Sequence, residues 1–210
     1  MEPLAIVATA AGIHLLAVMS PGPNFAVISR NSLAYSHRSG MFTTLGVTCG
    51  VFILIAFGFL GITAVIARSE TAYNTLRLAG AAYLVVLGVR SLAAAGRTRV
   101  VAPDLATAIG DGLGPVPSFR MGFITAITNP KAAVYLLAFF TTIISVDTPV
   151  VVKLSLLFVM PSITFSWYSL MAWLFSRPIL RRRYARVERW THVAFGVLLI
   201  ALGVGVASSR

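Results

Sequence analysis

The sequence has little charge. Only 11% of its 210 residues are Asp, Glu, Lys or Arg, whereas 58% are hydrophobic and the mean hydropathy is +0.88. A soluble domain carries about 25% charged residues, and a chain of this size has no interior large enough to hide so much apolar surface from water. The scarcity of charge therefore excludes a soluble globular fold and predicts that lipid surrounds most of the chain.

Cysteine and acidic residues are also scarce. The one cysteine, Cys49, excludes an internal disulfide framework and a metal site built on cysteines. None of the six acidic residues lies deep in an apolar run: they are Glu2, Glu70, Asp104, Asp111, Asp147 and Glu188. The sequence offers no buried acid pair, no nucleophile with its base and no cluster of metal ligands. We therefore expect a protein that is not an enzyme and that holds no metal or cofactor.

Long hydrophobic runs are what the sequence has in abundance. A membrane-spanning helix needs about 20 mainly apolar residues, and six windows meet that length: 4–27, 41–67, 73–94, 121–144, 150–175 and 190–207. The runs are continuous, which favours helices over the alternating strands of a β-barrel. We predict an all-α integral membrane protein of about six transmembrane helices. The first run is expected to be a retained helix, because no basic residue precedes Arg30 as a signal peptide would require.

Basic residues are distributed unevenly between the two ends of these helices. Twelve arginines lie in or beside the first, third and fifth loops, six of them between Arg177 and Arg189, against four basic residues on the opposite side. Cytoplasmic loops are enriched in Lys and Arg, so the pattern predicts cytoplasmic odd-numbered loops and extracytoplasmic termini. Topology thereby explains the net charge of +11, and we do not expect a nucleic acid as a partner.

The longest polar interval divides the chain into halves. Residues 97–120 are rich in Gly and Pro, which is typical of a linker. They separate a first three-helix repeat, 1–96, from a second one, 121–210. Because three is an odd number, two such repeats would have opposite orientations in the membrane, as in many transporters. We predict two inverted repeats joined by a cytoplasmic linker.

Proline interrupts the first and fourth apolar runs at corresponding places. The motifs are Ser-Pro-Gly-Pro-Asn at 20–24 and Thr-Asn-Pro-Lys at 128–131. Proline removes a backbone donor and displaces a carbonyl, and such a break is tolerated in a membrane only where protein or a cavity satisfies it. A simple kink is one reading, but paired breaks mark the binding site of many transporters. The predicted substrate-binding residues at the breaks are Pro21, Gly22, Pro23, Asn24, Asn129, Pro130 and Lys131.

Lys131 is the only full charge near the middle of any apolar run. A lysine there costs about 2.5–3.5 kcal/mol on insertion scales, so it should face a pore or a partner, with snorkelling to an interface as the alternative. Asn129 and Pro130 form the sequence of a helix N-cap and first helical residue. A half-helix that begins there would present free N–H groups and a positive dipole end. Together these features predict a site for a substrate carboxylate.

The lack of a buried acidic residue disfavours cationic substrates but permits a zwitterion. We expect its ammonium group to contact carbonyls freed at the breaks, the side chain of Asn24, or an aromatic face such as Tyr135, Trp167 or Tyr168.

Proton coupling would need a titratable group inside the membrane. His14 lies seven residues before Pro21 on nearly the same helical face, and histidine titrates in the required range. His14 is therefore a candidate for proton coupling, with a hydrogen-bonded packing role as the alternative and Lys131 as a second candidate.

Several segments, taken in order, resemble the lysine exporter and homoserine/threonine exporter family. They are the motif at 20–24 with the glycines that follow it, Leu-Ala-Gly-Ala-Ala-Tyr-Leu at 78–84, Thr-Asn-Pro-Lys-Ala at 128–132, and the glycine-containing end from Phe195 to Gly203. The resemblance implies an amino acid exporter of the inner membrane that is driven by the proton gradient. Two positions depart from the family pattern. Thr141-Thr142 stand where a Pro-Gln pair is common and Ser166 stands where an acidic residue is common, which leaves the substrate and the coupling ion open.

These features predict a secondary transporter that exports a neutral amino acid or a related small metabolite, with proton antiport as the mechanism. The alternatives are an uncoupled channel or facilitator and a membrane assembly subunit that transports nothing. The expected partners are the amino acid, the lipid bilayer and a second copy of the chain in a homodimer.

Overall fold

The structure, a computed structural model, describes residues 2–68, 70–95, 113–144 and 148–208. Within these ranges it contains eight α-helices and no strand, which confirms the all-α class for this part of the chain. The helices are α1 (Pro3–Met19), α2 (Pro23–Ala34), α3 (His37–Arg68), α4 (Glu70–Ala95), α5 (Pro115–Ile127), α6 (Pro130–Ile143), α7 (Val150–Phe175) and α8 (Pro178–Ser208).

Three of these helices contain stretches that are long and apolar enough to cross a membrane. They are His37–Gly61 in α3, Leu78–Ala95 in α4 and the whole of α7. Two further spans result if each bent pair counts as one, with α1 and α2 bent by 57° and α5 and α6 bent by 52°. The predicted breaks in the first and fourth windows are confirmed, because each window is divided into two helices at its proline motif.

The sixth predicted window, 190–207, lies within α8. The apolar part of that helix is Val193–Gly205, which is shorter than a full span. The described residues therefore account for up to five spans, and the count of six is not confirmed. The helix also begins earlier than predicted, at Pro178, so most of the arginine-rich interval that we read as the fifth loop has helical backbone.

The predicted linker, 97–120, is only partly described, because its residues 97–112 lie outside the described ranges. Its last residues are helical, since α5 begins at Pro115 with Gly114 as its N-cap. Proline at the first helical position lacks an N–H that a helix N-terminus leaves unpaired in any case. A Gly-Pro sequence that resembles a loop therefore begins a helix here.

Glycines allow the helices of the two halves to approach closely. Gly88 of α4 faces Gly196 of α8, and a Cβ atom built on either glycine would lie 2.7 or 2.8 Å from the carbonyl oxygen of the other. Likewise, a Cβ on Gly50 of α3 would lie 2.7 Å from the Cβ of Ala126 in α5. Lipid provides no hydrophobic drive for helix association, so close backbone packing of this kind holds such helices together.

Alanine at Gly196 tests the α4–α8 contact. We expect Gly196→Ala to destabilise the protein, because its added methyl group would lie 2.7 Å from Leu92 Cγ and overpacking costs about 1–3 kcal/mol. Gly205→Ala in the same helix is the control, since no atom lies within 4 Å of its added Cβ. Thermal unfolding in detergent should show a lower melting temperature for Gly196→Ala alone, and equal melting temperatures would contradict the close packing.

Candidate functional site

The first break places backbone carbonyls of α1 beside the start of α2. The first helix ends at Met19 with Ser20 as its C-cap, and the second begins at Pro23 after the extended residue Gly22. Neither Pro21 nor Pro23 has an N–H to donate to the carbonyls of the preceding turn. No side chain caps α2. The break therefore brings together the negative end of one helix dipole and the positive end of another.

The second break is capped by its own asparagine. The side-chain oxygen of Asn129 accepts hydrogen bonds from the N–H groups of Lys131 and Ala132, at 3.0 and 3.3 Å. Pro130 is the first residue of α6, so the predicted N-cap and first helical position are confirmed. The N–H groups that we expected to be free are occupied by the cap. What remains at this end of α6 is the positive end of the helix dipole.

A hydrogen bond between two asparagine side chains joins the breaks. Asn129 Nδ2 donates to Asn24 Oδ1 at 3.1 Å, and both residues are buried. Buried amide groups are stable only when they are hydrogen-bonded. The bond connects the starts of α2 and α6, and the predicted contact of Asn24 with a substrate stays a prediction.

The Lys131 side chain reaches from α6 to the end of α1. Its Nζ atom donates to Ser20 Oγ at 2.8 Å and to the carbonyl oxygens of Pro21 and Ser20 at 3.1 and 3.5 Å. It also lies 4.8 Å from the ring centroid of Phe195, within cation–π distance. These partners hold the ammonium group at the break and do not extend it toward a membrane interface, as snorkelling would.

One small cavity lies between the breaks. Its volume is about 50 Å³, which is room for only a few water molecules at roughly 10–15 Å³ each. Seven of the residues predicted from sequence line it: His14, Gly22, Asn24, Asn129, Lys131, Tyr135 and Tyr168. Among its described lining residues Lys131 is the only one with a full charge, and none is a carboxylate. The cavity therefore favours a ligand that carries negative charge at the Lys131 end.

The other predicted residues lie outside this lining. Pro21 contributes its carbonyl oxygen to Lys131, and Pro23 and Pro130 begin the two half-helices. Trp167 lines a separate open groove formed by α1 and α7, while its neighbour Tyr168 lines the cavity. Consecutive helical residues point about 100° apart, so the sequence alone does not decide which of two adjacent aromatics faces inward.

Ser20 and Phe195 contact Lys131 but were not predicted as site residues. A hydroxyl group at the end of a broken helix was a usable signal for Ser20. No signal was available for Phe195, because its position depends on how α8 packs against the rest of the bundle.

His14 is buried and anchored to α7. Its Nε2 atom lies 2.9 Å from Thr164 Oγ1, and that hydroxyl donates to the Met160 carbonyl oxygen at 3.1 Å. Because a hydroxyl has a single hydrogen, we assign it to the Met160 carbonyl and the imidazole proton to Nε2, which then donates to Thr164. The lone pair is then on Nδ1, which has no partner among the described residues. The hydroxyl of Tyr135 also has no hydrogen-bond partner among the described residues. The Tyr135 ring stacks on His14 with ring centroids 6.1 Å apart.

Two broken membrane helices that meet at a buried polar cavity are the architecture of a secondary transporter. The chain belongs to the LysE type translocator family, which it matches over residues 15–210. Membership confirms the resemblance noted in the sequence and identifies the chain as a membrane transporter, not an enzyme.

Relatives named as threonine efflux proteins match nearly the full chain, and one named as a leucine efflux protein matches a shorter part of it. The threonine efflux protein of Escherichia coli (strain K12) is 28% identical over 205 residues, which are 96% of this chain and 97% of that protein. The threonine efflux protein of Salmonella typhimurium matches with the same identity and coverage. The leucine efflux protein of Salmonella typhimurium is 31% identical over 132 residues, which are 63% of this chain and 60% of that protein. No solved structure matches the chain.

The hydrogen bond between the two breaks can be measured by a double-mutant cycle. We expect Asn24→Ala and Asn129→Ala to lower the free energy of unfolding with a coupling of about 0.5–2 kcal/mol, because each removes one partner of the same bond. Asn129→Ala should have the larger single effect, since it also removes a helix cap worth about 1 kcal/mol. Unfolding in detergent measures all four variants. Strictly additive effects would show that the asparagines do not interact.

Proposed function

We propose that the protein exports a neutral amino acid or a related small metabolite from the cytoplasm. The observation that carries this proposal is the Lys131 ammonium group, which lies in a buried cavity without a carboxylate partner among the lining residues. A substrate carboxylate would place a full negative charge opposite the Lys131 ammonium group, whose present partners are uncharged oxygen atoms. The positive dipole ends of α2 and α6 favour the same negative charge.

The names of the relatives agree with a substrate of this charge. They concern threonine and leucine, whose side chains are uncharged, so that one carboxylate and one ammonium group are the only charges. A cationic side chain would meet Lys131 and both dipole ends without a compensating carboxylate. We therefore infer that the substrate is a zwitterion with an uncharged side chain.

We further propose that the chain lies in the inner membrane as two inverted repeats with both termini outside. The proposed halves, 1–96 and 121–210, pair α1 and α2 with α5 and α6, α3 with α7, and α4 with α8, and the first six residues of α5 lie in the predicted linker. In support, α3 packs against α5, and the pair that corresponds to it when the two halves are interchanged, α7 and α1, also packs together. A homodimer also stays a prediction, which cross-linking in the membrane would check.

Export against a gradient needs an energy source, for which we propose proton antiport. His14 supports this role, because it lies in the lining of the same cavity as Lys131 and is buried. An uncoupled channel would need no titratable group at the binding site.

Removal of the Lys131 charge tests the carboxylate site. We expect Lys131→Ala to reduce efflux of labelled threonine or leucine at least about tenfold, because a hydrogen bond to a charged group contributes about 1.5–3 kcal/mol. Lys153→Ala is the matched control, since it removes the chain's other lysine, which does not line the cavity. Efflux should be compared in cells that contain equal amounts of inserted protein. Normal efflux by Lys131→Ala would refute the assignment.

The energy source can be tested in proteoliposomes. We expect an inward proton gradient to accelerate efflux of labelled threonine or leucine and to drive it below the equilibrium concentration, because each inward proton supplies free energy to the outward step. A protonophore should abolish the drive. Efflux that stops at equal concentrations on both sides, with or without the gradient, would favour an uncoupled facilitator.

A further inference from the structure

The Lys131 cavity contains two buried polar atoms that the protein itself does not satisfy. They are His14 Nδ1 and the hydroxyl oxygen of Tyr135, neither of which has a partner among the described residues. Eight buried side-chain atoms of the described residues lack a partner, and these two are the ones whose residues line the cavity, where a ligand could satisfy them. Both residues line the cavity and their ring centroids are 6.1 Å apart, so the two side chains are neighbours in its lining.

We propose that His14 Nδ1 and the Tyr135 hydroxyl bind the ammonium group of the substrate, and that Nδ1 binds the coupled proton in its absence. The proposal rests on the proposed function as an amino acid exporter. It adds the atoms that would bind the second charged group of the substrate, its ammonium group. An ammonium group has three hydrogens to donate, and a neutral imidazole nitrogen and a phenolic oxygen are both acceptors. Lys131 takes the carboxylate, so each end of the zwitterion has a partner.

The anchoring of His14 decides which nitrogen is available. With the imidazole proton assigned to Nε2 in the bond to Thr164, a proton that enters from the cavity would bind at Nδ1. The lone pair that accepts this proton is the one that would accept the ammonium hydrogen. Proton and substrate therefore exclude each other, which is the condition for antiport without a separate coupling site.

With one proton per amino acid, each cycle moves one net positive charge inward. The zwitterion leaves with no net charge, and the imidazolium proton returns with one positive charge. The titratable groups that line the cavity with His14 are Lys131 and Tyr135 of α6 and Tyr168 of α7, and α8 contributes the uncharged ring of Phe195. No carboxylate among the described lining residues offers the proton an alternative site.

Exchange of labelled for unlabelled threonine in proteoliposomes, at equal pH on both sides, tests the proposal. In the native protein, a lower pH should raise the KM by up to about tenfold per pH unit without lowering the maximal rate, as mass action for one competing proton requires. His14→Gln keeps a hydrogen-bond acceptor but cannot bind the proton, so its KM should not change with pH. His37→Gln is the matched control at an exposed histidine and should behave like the native protein.

Tyr135→Phe is the second variant and does not depend on the folding of His14→Gln. Loss of the hydroxyl should raise the KM severalfold while the change of KM with pH stays native. Three results would each overturn the shared site: a proton effect on the maximal rate alone, a native pH dependence in His14→Gln, or a native KM in Tyr135→Phe. In each case the observed exchange would still support the proposed exporter. Absence of exchange of every neutral amino acid by the native protein would overturn the proposed function, and this inference with it.

Discussion

A positive charge held inside an apolar helix bundle is the constraint on which the rest of the site depends. The Lys131 ammonium group is stable there because Ser20 and Pro21 offer it oxygen atoms. Carbonyls in an unbroken helix are occupied by their own N–H partners. The proline break between α1 and α2 is therefore needed to accommodate the lysine of α6, and the two motifs form one site although they lie in different halves of the chain.

The same contacts make the site able to respond to a ligand. Carbonyl and hydroxyl oxygens are dipoles, and a carboxylate is a stronger partner for an ammonium group than either. Substrate would thus release the end of α1 from Lys131, at the point where α1 and α2 are already bent by 57°. The bond between Asn24 and Asn129 is a second connection between the breaks. Under the proposed function, these contacts would couple substrate binding at the centre to movement of the half-helices.

Rules about neighbouring residues predicted the parts of the site that depend on short stretches of sequence. The cap at Asn129, the helix start at Pro130 and the inward direction of Lys131 follow from proline chemistry and from the insertion free energy of a charge. What local rules do not contain is packing between distant helices. They could not place Phe195 against Lys131, choose Tyr168 over Trp167 for the cavity, or pair His14 with Thr164. They also failed at Pro115 and Pro178, where residues that are typical of loops begin helices.

The central claim is that Lys131 binds the carboxylate of the substrate, and binding to purified protein tests it most directly. Threonine should be compared with threonine amide, which keeps the side chain and the amino group but has no carboxylate. We predict that the native protein binds the amide at least about tenfold more weakly than the acid, since a charge-assisted contact is worth about 1.5–3 kcal/mol. In Lys131→Ala the two ligands should bind equally weakly. Equal affinity of the native protein for acid and amide would contradict the carboxylate site.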